Sequence, residues 1–91
     1  KRIGVVALAI HERQARAASV NNVISHYADL VVGRMGVPYR ERGLSIIALL
    51  VDGSTDALGA MTGKLGNIPG VKVRSVLLTA AGQELSPKED S

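Results

Sequence analysis

One pattern of hydrophobic residues occurs twice in this sequence, and the repeat constrains the fold more than any other feature. In each half, a short apolar run rich in β-branched residues precedes a segment whose apolar residues recur at i, i+3, i+7 and i+10, the spacing of one stripe along a helix. A further apolar run follows each helix. The two stripes are Ala17, Val20, Ile24 and Tyr27, then Leu58, Met61, Leu65 and Ile68. The repeat predicts the element order βαββαβ.

Turn and capping residues set the expected bounds of these elements. The predicted strands cover residues 3–10, 30–37, 44–51 and 71–80, and the predicted first helix covers residues 13–27. Ser54 or Thr55 can cap the second helix. We expect Gly66 to end that helix in the left-handed conformation, with Pro69 preventing its continuation. The segment PYRERG, residues 38–43, has proline first and glycine last, which predicts a hairpin loop.

The element order is that of the ferredoxin-like split βαβ fold, in the α+β class. Because crossover connections between strands are right-handed, we predict a four-stranded antiparallel sheet with strand order 4-1-3-2 and both helices on one face. The domain is predicted to cover residues 1–81. Residues 82–91 are predicted to form a polar C-terminal tail.

Composition and charge exclude several classes of function. The 91 residues carry a formal net charge of +3, with basic residues scattered along the chain, and they include no Phe, Trp or Cys. RNA-binding sheets stack bases on aromatic side chains, and the first and third strands have none, so we expect no direct nucleic-acid binding. No apolar run reaches the roughly 18 residues of a membrane span, so no membrane association is expected. The lack of Cys is typical of the reducing cytoplasm, where we place the protein.

The pair Gly63-Lys64 resembles part of a phosphate-binding loop, but its context does not fit one. Such a loop needs Ser or Thr after the lysine and lies between a strand and the start of a helix. Here Leu65 follows, and the pair falls inside a predicted helix. We therefore interpret Lys64 as a cation that the C-terminal end of the helix favours.

The remaining polar residues do not form a recognisable catalytic motif. No GxSxG sequence is present, and His11 and His26 without any Cys do not predict a metal site. We therefore expect no enzymatic activity, no metal and no cofactor. The main alternative that the residues leave open is a small enzyme or metal-binding protein that uses His11 and the Arg34–Arg40 region. A third, weaker alternative is an RNA- or DNA-binding domain.

Strands 1 and 3 are apolar on both faces, although the helices can cover only one face of the sheet. A sheet face that contacts water is usually polar. The second helix also aligns three glycines away from its apolar stripe, and an interior glycine costs about 1 kcal/mol relative to Ala unless a close partner exploits it. We therefore expect an obligate homo-oligomer, a dimer or a tetramer. The expected interface residues are Val5, Ile46, Ile47, Leu49, Gly59 and Gly63.

Residues 34–78, RMGVPYRERGLSIIALLVDGSTDALGAMTGKLGNIPGVKVRSVLL, resemble the second half of the small proteins called iron-only hydrogenase system regulators. The Gly-Val-Pro hairpin, the Ile-Ile strand and the Thr-Gly-Lys-Leu-Gly…Pro-Gly-Val corner are the most specific parts, and residues 3–30 match more weakly. The resemblance implies an ACT-like ferredoxin fold, similar to the effector domain of nickel-responsive repressors. It also implies a stand-alone regulatory domain that oligomerises, rather than a catalyst.

The sequence departs from the better-known relatives of this fold. ACT domains that bind amino acids usually carry a glycine-containing loop after the first strand, whereas this chain has IHERQ there. Nickel-responsive domains use several His and a Cys, of which only His11 and His26 are available. With no DNA-binding segment, the resemblance implies regulation through a small effector or a partner protein. We expect an effector to bind near His11, Glu12, Arg34 and Arg40.

Overall fold

The computed structural model describes residues 1–11 and 14–79, the side chains of residues 14 and 15 excepted. The four strands are β1 (Arg2–His11), β2 (Val31–Tyr39), β3 (Leu44–Gly53) and β4 (Val71–Leu77). The two α-helices are α1 (Gln14–His26) and α2 (Thr55–Gly66). Two single 3-10 turns, Ala28–Leu30 and Arg40–Arg42, precede β2 and β3 respectively. The predicted order βαββαβ is confirmed.

The strands form one antiparallel sheet in the order β2-β3-β1-β4, which is the predicted order of the ferredoxin-like arrangement. Each strand pairs with its neighbour along most of its length. β1 lies against β3 from Arg2 opposite Gly53 to His11 opposite Leu44. β1 and β3 are therefore the two central strands, and β2 and β4 are the edges.

The core lies between the sheet and the two helices. Alternate side chains of β1 and β3 point to the helices and are buried, and the two predicted helical stripes cover them. The buried apolar residues are Val6, Leu8 and Ile10 of β1, Ile47, Leu49 and Val51 of β3, Val20 and Ile24 of α1, Leu58, Met61 and Leu65 of α2, and Val71 of β4. Both helices thus lie on one face, as predicted.

Helix α2 begins and ends with identifiable local interactions. The Ser54 hydroxyl accepts a hydrogen bond of 3.1 Å from the Ala57 N–H, which satisfies one of the free donors of the first turn. In the last turn, the Lys64 Nζ lies 5.2 Å from the centre of the Tyr27 ring. The cation predicted for the helix end therefore also joins α2 to the end of α1.

The prediction that Gly66 ends α2 with a positive φ is wrong. Gly66 is the last helical residue, and Asn67 continues in the right-handed region while its N–H donates back to the Gly63 carbonyl at 3.1 Å. The positive φ, 82°, is at Gly70 instead. Since the Val71 N–H donates to the Ile68 carbonyl at 3.1 Å, with Pro69 and Gly70 between them, this corner is a type II turn.

The edge strand β2 extends two residues beyond the predicted end at residue 37. It extends through Pro38 to Tyr39, which proline permits because an edge strand has one unpaired side. The connection to β3 shrinks to residues 40–43, and Gly43 takes a left-handed φ of 63° there. The strand also carries a bulge between Val31 and Gly33. The predicted polar tail, residues 82–91, lies outside the described residues.

Candidate functional site

A cleft of about 450 Å³ opens between α1 and the edge of the sheet formed by β2 and β3. The two helices cover the central strands, and this leaves the helix-facing side of β2 partly uncovered. The cleft is lined by Ile10 and His11 of β1, Ala17 and Asn21 of α1, Arg34, Gly36, Val37 and Pro38 of β2, and Ser45, Ile46 and Ile47 of β3.

Arg34 supplies the positive charge of this cleft. It pairs with Leu49 across the β2–β3 ladder and so shares the face of the sheet that the helices cover. Its Nη2 donates a hydrogen bond of 3.1 Å to the Oδ1 of Asn21 on α1. Within the described part of the chain no carboxylate pairs with Arg34. The guanidinium is thus held by a neutral amide, and its other N–H donors make no hydrogen bond to the described residues.

The floor of the cleft is open because β2 carries a glycine there. Gly36 lies opposite Ile47, and a Cβ added to Gly36 would meet nothing closer than 3.9 Å. One step along the same face, Ser45 lies opposite Pro38. The Ser45 hydroxyl makes no hydrogen bond to the described residues. Arg34, Gly36 and Ser45 therefore form one continuous line along the cleft.

The structure brings together two of the four residues expected to bind an effector. Arg34 and His11 both line the cleft, but strand alternation places the His11 side chain with Ala9, on the other face of the sheet. Arg40 lies in the exposed 3-10 turn beyond β2 and does not line the cleft. Glu12 lies outside the described residues. Effector binding itself stays a prediction.

Asn21 and Ser45 belong to the cleft but were not singled out from the sequence. Asn21 is one of two adjacent asparagines on α1, and the helical period does not say which one faces the sheet edge. Ser45 stood out only as the single hydroxyl in the apolar run LSIIALLV. This polar residue within an apolar run was the signal in the sequence that could have identified Ser45.

A second feature is the sheet face opposite the helices, which we call the open face. Its large side chains are exposed, with Met35 64% exposed and Val76 61% exposed, and Val37, Tyr39 and Leu50 each more than 40% exposed. Strand pairing aligns these residues in rows. The open face comprises Ile3, Val5, Ala7, Ala9 and His11 of β1, Leu44, Ile46, Ala48, Leu50 and Asp52 of β3, Met35, Val37 and Tyr39 of β2, and Lys72, Arg74 and Val76 of β4.

The expected interface residues divide between the two faces of the sheet. Val5 and Ile46 lie on the open face. Ile47 and Leu49 point to the helices, with only 9% and 0% of their surface exposed, so their inclusion in an interface was wrong. The error arises because successive residues of a strand point to opposite faces of the sheet. Ile47 and Leu49 are two residues apart, so both lie on the face that the helices cover.

The two glycines expected at an interface lie on the surface of α2. A Cβ added to Gly59 or Gly63 would meet no heavy atom within 4 Å of it. Neither glycine is therefore required by packing within the subunit. Their place in an interface stays a prediction.

No three His, Cys, Asp or Glu side chains come together as a potential metal site within residues 1–11 and 14–79. In the same part of the chain, neither helix is long and apolar enough to cross a membrane.

Comparison with known proteins identifies the family. The family described as "TM1266-like: Iron-only hydrogenase system regulator, putative" matches residues 2–75, which is most of the chain. The chain belongs to this family. The resemblance carried by the corner and hairpin motifs is therefore confirmed for the regulator family.

Solved structures agree with this family assignment. The uncharacterized protein TM1266 from Thermotoga maritima is 32% identical, with a TM-score of 0.84, and the match covers 86% of this chain and 98% of that one. An unknown protein from Galdieria sulphuraria is 16% identical with a TM-score of 0.57, over 94% of this chain and 48% of that one, and shares only the fold. No curated protein matches this regulator-family chain.

Proposed function

We propose that this member of the regulator family is a self-associating sensory domain rather than a catalyst. In this proposal two or more copies cover the open face, and a small effector binds in the cleft beside Arg34. The effector or the assembly then changes the interaction with a partner protein of the hydrogenase system. The family's description as a regulator supports the role, and the lack of Cys supports a cytoplasmic location.

The observation that carries the proposal is the exposure of a contiguous apolar surface. The three strands β2, β3 and β1, about 4.8 Å apart and about ten residues long, give the apolar part of the open face an area of roughly 500 Å². This is near the upper end of the about 300–600 Å² of the largest apolar patch on a typical monomer, and it is more than half of the roughly 800 Å² per partner of an ordinary protein interface. Its apolar rows run across three strands, from Met35 and Val37 to Ala7 and Ala9. A second copy is the occupant that we propose.

The sheet pairing suggests how two copies would fit together. The middle of the open face carries small residues, with Ala48 next to Ala7, while Met35 beside them on β2 is large and exposed. Two copies packed face to face can therefore place the β2 side chains of one copy over the alanines of the other. Lys72 and Arg74 on β4 lie at the rim, where charged side chains remain hydrated.

A pair of substitutions tests this interface directly. Val37→Asp puts a carboxylate in the middle of the β2 row, and we expect it to shift the protein toward the monomer by at least about tenfold in dissociation constant, because a buried unpaired charge is costly. Light scattering after size-exclusion chromatography measures the mass. Ala18→Asp, on the exposed side of α1, is the matched control and should not change it. Equal masses for both variants and the unmodified protein would contradict the proposed face.

A further inference from the structure

We infer that the cleft beside Arg34 binds a small organic carboxylate with an aliphatic body, and that it prefers this acid to the corresponding α-amino acid. The inference rests on the proposed sensory role of the cleft and adds the chemical class of the effector. Three properties of the lining carry it: the charge, the shape of the apolar surface, and the residue types that the lining lacks.

The charge of the lining favours an anion. Among the described residues Arg34 is its one permanently charged side chain, and the structure gives it a single hydrogen bond, to the Oδ1 of Asn21. A guanidinium has five N–H donors in a planar fork that matches a carboxylate in two parallel bonds. Asn21 fixes the end of the side chain while leaving donors available. A single arginine balances a single negative charge, which favours a carboxylate over a phosphate.

The rest of the lining suits an aliphatic chain. Ala17, Pro38 and Ile47 form apolar walls, and the missing side chain of Gly36 leaves room along the floor. At about 3.3 Å per residue, Arg34 and Pro38 are roughly 13 Å apart along β2. This length accommodates a short aliphatic body. Burial of its carbons supplies the apolar part of the affinity.

The described part of the lining offers no negative charge to an ammonium group. Within residues 1–11 and 14–79 it includes no Asp or Glu, and its polar acceptors, the Asn21 Oδ1 and the Ser45 hydroxyl, are neutral. An α-ammonium group beside the bound carboxylate would lose water and lie close to a guanidinium of the same charge. The cleft therefore discriminates against amino acids by an unpaired like charge rather than by size.

Three ligands of nearly equal shape test the inference by calorimetric titration of the full chain. They are 4-methylpentanoate, its neutral amide 4-methylpentanamide, and L-leucine, which adds only the α-ammonium group. We expect the acid to bind at least about tenfold more tightly than the amide or leucine, the ratio expected for one charge-assisted interaction. Leucine or the amide binding as tightly as the acid would overturn the inference.

Two variants locate the binding. Arg34→Gln should weaken binding of 4-methylpentanoate by about tenfold or more, whereas Arg40→Gln, in the neighbouring turn outside the cleft, should not. Gly36→Val should block the floor without a clash in the subunit, since a Cβ has space there, and circular dichroism verifies that it folds. An unchanged affinity in Arg34→Gln or in folded Gly36→Val would contradict the site.

Failure of this inference can be distinguished from failure of the proposed function. The mass of the same samples without ligand reports self-association independently of what the cleft binds. A dimer or larger species that binds none of the three ligands would overturn the carboxylate inference alone. A monomer would contradict the proposed assembly whatever the titrations show.

Discussion

Gly70 fixes the corner between α2 and β4 through its backbone. Its φ of 82° is in the region that side chains with a Cβ rarely adopt, and the Val71 N–H closes the turn on the Ile68 carbonyl. Strand β1 also uses this corner, because the His11 N–H donates to the Gly70 carbonyl at 3.2 Å. One glycine therefore holds the end of β1 and the start of β4 together.

Two glycine substitutions four residues apart should have opposite effects. Gly70→Ala should lower the free energy of unfolding by about 1–2 kcal/mol because of the positive φ, whereas the Arg16 guanidinium that its Cβ would overlap is the end of a flexible side chain and can move aside. Gly66→Ala lies in the helix with open space around it and should raise that free energy by up to about 1 kcal/mol. Urea denaturation at one protein concentration measures both. A stabilised Gly70→Ala variant would show that the turn does not need glycine.

The sequence predicted this corner but not which of its glycines takes the positive φ. GNIPG contains two glycines, and both a left-handed helix end and a Pro-Gly turn are compatible with the spacing. The choice depends on where the last carbonyls of α2 find donors, and here the Asn67 N–H reaches back to Gly63.

Arg34 was singled out from the sequence, but its contact with Asn21 joins two separate elements, and no local pattern encodes such a contact.

Strand β3 shows how much of the fold the pattern of hydrophobic residues determined at the scale of elements. Its residues 44–51 are largely apolar on both faces, which identified it as a central strand, and the sheet order confirms this. Both helices were predicted from their stripes, since buried Val20 and Ile24, and Leu58, Met61 and Leu65, fall at the helical period. When every residue of a run is apolar, the sequence does not show which set of alternate residues faces the core. It could therefore not say whether Ile46 or Ile47 faces the helices.

The two neighbouring isoleucines give a test of β3. Ile47→Asp should prevent folding or lower the free energy of unfolding by about 3 kcal/mol or more, because it places a charge in the core between sheet and helices. Ile46→Asp lies on the open face and should keep the helical signal in circular dichroism while reducing self-association. Both variants are compared by circular dichroism and by mass in solution. Loss of fold in Ile46→Asp with a folded Ile47→Asp would reverse the assignment of the faces.

At the scale of the whole molecule, the open face accounts for the unusual apolar content of the central strands. A chain of 91 residues buries only roughly 60–65% of its unfolded surface by itself, so it gains much from a partner. Covering ~500 Å² of apolar surface per subunit contributes on the order of 12 kcal/mol before the cost of association is subtracted. This is comparable to the whole stability of a small domain. Assembly is therefore expected to add to the stability of the folded subunit.

Sedimentation equilibrium of the unmodified protein at low micromolar concentration tests the central claim, self-association, most directly. We predict a mass of at least twice the 9.5 kDa of the chain, with no appreciable monomer, because the apolar open face requires a partner. A folded, monodisperse species of 9.5 kDa would contradict the claim.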